Sequence, residues 1–148
     1  MRTMLRWIVP ALLPLAALAA TPAQEKAFVD AYRRAYESKD AKALHAMLYA
    51  KGADPQALAF YRMMTTEGMG AKIASIALEP LTADDQAKAM ATMPGPGGKS
   101  FKLTLVPVKK LVIRRSTSGS SGSSSSTSTV FVAEADGKLV IPVPGAAR

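Results

Sequence analysis

The sequence has no cysteine, one histidine (His45) and one tryptophan (Trp7) in 148 residues. Without cysteine there is no disulfide, no thiolate metal site, no thiol nucleophile and no lipid-modified N-terminal cysteine. A single imidazole cannot build a histidine-based metal cluster, and no residue pattern calls for a metal or an organic cofactor. Beyond residue 23 no apolar run approaches the roughly 20 residues a membrane-spanning helix requires. Acidic residues are outnumbered, 11 against 19 lysines and arginines, for a formal net charge of +8. What is present is ordinary globular composition, 49% hydrophobic and 20% charged, which excludes a disordered or fibrous chain. The length suits a single domain with its own core.

Residues 1–23, MRTMLRWIVPALLPLAALAATPA, have a positive end (Arg2, Arg6), a short apolar stretch from Ile8 to Leu18, and small residues after it. This is the three-part build of a secretory signal peptide. The apolar stretch is too short to span a bilayer, and Pro10 and Pro14 oppose a membrane helix. Cleavage is expected after Ala23, with Ala19 as the second choice. The mature chain, 24–148, loses two arginines, which takes the formal charge from +8 to +6. It is expected in the periplasm or secreted, with no stable membrane insertion.

Along the mature chain, Phe28, Ala31, Tyr32, Ala35 and Tyr36 recur at three- and four-residue steps and predict an amphipathic helix over 24–38. Asp40 can cap a second helix over 41–49. Asp54-Pro55 opens a third, with Asp at the cap and Pro at the first helical position; Gly68 supplies a left-handed stop. The period then changes. Lys72–Leu81 alternates and predicts a strand, Thr82 opens a short helix reaching Met90, and Ser100–Arg115 predicts strands interrupted by a bulge or bend at Pro107. Ser116–Thr129 contains only Ser, Thr and Gly, which predicts a flexible loop inside the domain. Val130–Val143 predicts a hairpin turning at Asp136-Gly137, with Val132 facing Ile141. Pro142 predicts an edge strand, or an N–H position pointing away from a partner. Helices first and strands last predict an α+β fold, three helices on a curved, mainly antiparallel sheet of about four strands.

At AFVDAYRRAYESKDAKALHAML (27–48), the helix opening at Asp54-Pro55, LEPL (78–81) and FVAEADGKLVIPV (131–143), the chain resembles the nuclear transport factor two-like superfamily, the cone fold shared with ketosteroid isomerase. The nearest subset is exported bacterial members of unassigned function. The resemblance implies a pocket between the first helices and the sheet, and a homodimer packed through the sheet.

Under that resemblance the candidate ligand-binding residues are Tyr32, Tyr36, Tyr49, Tyr61 and His45, around a small apolar ligand. The same tyrosines at helical spacing also suit plain core packing. No catalytic residue stands out. Strand carboxylates are restricted to Glu79 and Glu134, both expected in water, and His45 lacks a partner at helical spacing. The reading is a small exported, non-catalytic binding module. The alternatives are an isomerase- or cyclase-like enzyme using the pocket, and a cell-envelope interaction protein using the basic strand Lys109, Lys110, Arg114 and Arg115. That strand has no interleaved aromatics, so nucleic acid is not an expected partner.

Overall fold

The computed structural model describes residues 19–147; the expected leader, apart from 19–23, lies outside the described residues. Helix α1 (Pro22–Glu37) starts on a reciprocal cap. The Gln24 N–H donates to the Thr21 hydroxyl at 3.2 Å, and the Thr21 N–H donates to Gln24 Oε1 at 2.9 Å. Its stripe of Phe28, Tyr32, Ala35 and Tyr36 is buried, with the Tyr32 and Tyr36 rings stacked at 6.3 Å. Helix α2 (Ala41–Ala46) is capped by Asp40 and stops three residues short of expectation. Leu48–Tyr49 instead forms a short strand, β1. Tyr49 is therefore a strand residue, because its backbone pairs with a distant strand rather than with its own helix. In α3 (Pro55–Thr66) the Asp54 carboxylate accepts from the Gln56 and Ala57 N–H groups, and Gly68 reverses the chain at φ +71°. Helix α4 (Ala83–Met90) carries a second reciprocal cap, Thr82 with Asp85.

The fold is α+β, with four α-helices among the described residues, a mixed five-stranded sheet and a smaller three-stranded one. The large sheet runs β1, β7 (Lys138–Pro142), β6 (Gly122–Ala135), β5 (Lys109–Gly119), β2 (Ile73–Pro80). Its pairs are antiparallel except β1 with β7. The small sheet joins β3 (Met93–Pro94), β4 (Ser100–Leu103) and β8 (Pro144–Ala146). The closing hairpin has the expected register, with Ala133 opposite Val140. Asp136 and Gly137 both have positive φ, 52° and 76°, the requirement of a type I′ turn.

Three expectations are corrected. The Ser/Thr/Gly run is not a loop: it extends β5 and β6 into a long ribbon paired to Gly119–Gly122. It needs no core, because the strands on either side have already closed the hairpin and each further pair adds backbone hydrogen bonds. Hydroxyls such as Thr117 and Ser124, 2.7 Å apart, add cross-strand bonds. Second, of the two readings of Pro142 the edge strand is excluded and the other stands, since β1 covers β7: Leu48 pairs with Ile141 and Tyr49 with Pro142, and the Ile141 N–H donates to the Met47 carbonyl. Third, strict alternation in β2 separates Ile73 from Ile76, yet a bulge between Ile73 and Ser75 breaks the period. Ile73 joins the same buried cluster against which Ile76 and Leu78 pack. That cluster, with Tyr36, Leu44, Leu111, Ile113, Val132 and Ile141 at its centre, fills the space between α1 and the large sheet.

Candidate functional site

Strand alternation sets the site. Leu111, Ile113 and Arg115 share one face of β5, and their partners across β6 are Val130, Ser128 and Ser126. Leu111 and Ile113 are buried core, so the same period turns Arg115 inward, where it is half-buried, while Arg114 is exposed. Above this face a cavity of about 330 Å³ lies between the helices and the sheet. Tyr32 of α1, Tyr61 and Met64 of α3, and Ile113, Arg115 and Val130 of the sheet border it.

The polar end of the cavity is a chain of hydrogen bonds. Arg115 Nη1 donates to the Tyr36 hydroxyl at 2.6 Å, and Nη2 donates to the Ser128 hydroxyl. The Tyr36 hydroxyl donates in turn to the Glu67 backbone carbonyl at 2.7 Å. The guanidinium carbon stands 5.4 Å from the Tyr36 ring centroid, a cation–π placement. Arg115 Nε is buried without a hydrogen-bond partner. Among the described residues the ion pairs are Lys26–Asp30, Lys109–Glu25 and Lys110–Asp85. Arg115 belongs to none of them. Glu67 is exposed and belongs to the cavity lining.

Burial pushes the Tyr32 hydroxyl up to about 12, against a smaller opposing pull from Arg115. Burial also raises Tyr61. Both phenols therefore stay protonated near neutrality and can donate hydrogen bonds.

Of the five sequence candidates, Tyr32 and Tyr61 border the cavity. Tyr36 stands behind it, its ring in the core and its hydroxyl on Arg115. Tyr49, half-buried on β1, is not part of the cavity, and neither is His45, whose Nε2 lies 3.3 Å from the Arg62 carbonyl. Sequence reasoning missed Arg115 and Ser128. Arg115 was grouped with its basic neighbours by composition, although its parity with Leu111 and Ile113 already placed it on the inner face. The other three basic residues separate: Lys109 meets Glu25 at 2.6 Å, Lys110 meets Asp85 at 2.7 Å, and Arg114 faces water.

A second, more open depression of about 390 Å³ lies on the far side of α3, beside Phe60, Met93 and Phe101, with Tyr61 and Met64 common to both. Among the described residues no three His, Asp or Glu side chains are grouped to hold a metal ion, and no helix is long and apolar enough to cross a membrane. In comparisons with known proteins, no family model, curated protein or solved structure matches the chain.

Proposed function

We propose that this protein is a small exported binding module that holds a compact ligand in the cavity between α1, α3 and the large sheet, without catalysis. The observation that carries this reading is the cavity itself. It is about 330 Å³, within the range of small-molecule sites, with mostly apolar walls and two tyrosines, an arginine and a serine in its lining. Its two phenols, with raised pKa values, are poor bases, the sole imidazole sits elsewhere, and the carboxylate residue of the lining, Glu67, is exposed, which suits holding better than proton transfer. The α+β arrangement, with helices packed on a mainly antiparallel sheet and a late β6–β7 hairpin, supports the resemblance to the nuclear transport factor two-like superfamily. The leader-like residues 1–23 support export.

The test is ligand mapping by two-dimensional amide NMR with a set of small amphipathic compounds. Shifts confined to the backbone around Tyr32, Tyr61 and Val130 are the expected result. No shifts, or shifts centred on α4, would overturn the reading.

A further inference from the structure

We infer that the ligand of this cavity is a singly charged organic carboxylate, its head on the Arg115 guanidinium and its apolar body against Tyr61, Met64 and Val130. This rests on the cavity being the binding site and adds what it binds. An arginine carries five N–H donors and is charged at any physiological pH. Among the described residues the half-buried Arg115 has two neutral hydroxyl partners, a buried Nε without any, and no carboxylate. A charge partly withdrawn from water without a counter-ion is costly, so such groups ordinarily pair. A ligand carboxylate supplies the missing charge, and the guanidinium fork matches its two oxygens.

The surroundings hold the fork ready. Tyr36 and Ser128 grip its two ends, the Tyr36 ring backs the guanidinium, and the Tyr36 hydroxyl is itself tied to the Glu67 carbonyl. Tyr32 and Tyr61 border the same cavity and bring further O–H groups to its lining. One guanidinium balances one negative charge. A doubly charged phosphate head would leave one charge uncompensated, beside a lining that already includes the acidic Glu67.

The experiment compares decanoate, decanol and decyl phosphate by calorimetry at neutral pH. Decanoate is expected to bind at least tenfold more tightly than decanol, and more tightly than decyl phosphate. In Arg115→Gln the advantage over decanol disappears while decanol binding is retained; in Glu67→Gln it persists or grows. Equal binding of decanoate and decanol by the native protein overturns the carboxylate assignment and leaves the cavity as a site. Preference for decyl phosphate overturns the single-charge claim. Failure of all three to bind removes the cavity reading as well. The native-protein comparison stands even if Arg115→Gln does not fold.

A separate observation concerns processing, and rests on the reading of residues 1–23 as an export leader. We propose that the leader is cut between Ala19 and Ala20 rather than after Ala23. The Ala20 backbone nitrogen donates to Glu134 Oε1 at 2.7 Å, Thr21 caps α1, and Pro22 is its first residue. A cut after Ala23 would strip away the cap and the first two helical residues. Ala17-Leu18-Ala19 provides the small residues that a membrane-bound signal peptidase reads. Hydrolysis adds the hydroxyl of water to the Ala19 carbonyl and a proton to the Ala20 nitrogen. The resulting ammonium faces the Glu134 carboxylate, turning an amide hydrogen bond into a charge-assisted one. Intact-mass measurement of the full chain expressed in a bacterium with a secretory pathway is the test. A species beginning at Ala20 is expected. One beginning at Gln24 overturns the proposal but not export, and an uncut chain overturns both.

Discussion

Helices α1 and α3 border the same cavity and are held in different ways. Helix α1 sinks Phe28, Tyr32, Ala35 and Tyr36 into the core and is tied to β5 by the Glu25–Lys109 pair. Helix α3 buries only Thr65, while Phe60, Met63 and Met64 are 52%, 62% and 42% exposed. Both start on well-made caps, so local helix signals do not explain the contrast; packing does. One wall of the cavity is thus part of the core and the other rests on it. A wall that rests on the core with few fully buried side chains is the one that can give way to admit a ligand.

The contrast breaks most readily at Tyr36. Tyr36→Ala removes the largest fully buried side chain and leaves Arg115 short of a partner. A loss of about 3–5 kcal/mol in urea unfolding is expected, as for other buried aromatics. Next comes Gly68→Ala, at the foot of α3. Its φ of +71° opposes a side chain, and an added Cβ would stand 2.8 Å from the Tyr36 hydroxyl. Strain of about 1–2 kcal/mol is expected from the left-handed backbone alone, together with weakened decanoate binding in calorimetry.

Acid sharpens the comparison through α4, which, like α1, is tied to β5 by an ion pair. The Lys110 hydrogen bond, helped by the Thr82 backbone and hydroxyl, holds the Asp85 carboxyl at about 2, below its ordinary 3.8. A carboxyl lowered in the folded state stabilises above its unfolded value and loses that contribution as pH falls through the folded one. Native stability should therefore drop between pH 3.8 and about 2 more steeply than that of Asp85→Asn, measured by urea midpoints across that range. The smallest effect is expected on the outer side of α3. Met63→Ala should change stability by less than about 0.5 kcal/mol, since the side chain is mostly in water. A loss comparable to that of Tyr36→Ala would show that α3 is as firmly seated as α1.

What was legible in the sequence follows the same division between local and distant causes. The α1 stripe, the Asp54-Pro55 start, the Gly68 stop and the Asp136-Gly137 turn are each written within a few neighbouring residues, and each stands in the structure where it was expected. Tyr49 was misplaced because a two-residue strand exists only through its pairing with Ile141 and Pro142, about ninety positions away. The Ser/Thr/Gly run was misread because composition reports how little it can bury, and says nothing of a partner strand of the same composition. The candidate site was legible in part. Tyr32 and Tyr61 came from helical spacing, but spacing could not separate them from Tyr49 and His45. Arg115 needed the parity of β5 rather than its charge.

The ribbon from Ser116 to Thr129 has one further consequence. Beyond Arg115 it has no partner from β2, and its cross-strand pairs are nearly interchangeable. The Arg115–Ser128 bond pins the register at its base, and farther out the Thr117–Ser124 hydroxyl pair is a contact that other Ser and Thr pairs could equally make. The tip therefore behaves as a spacer of adjustable length. Residues can be added or removed in facing pairs without disturbing the domain beneath.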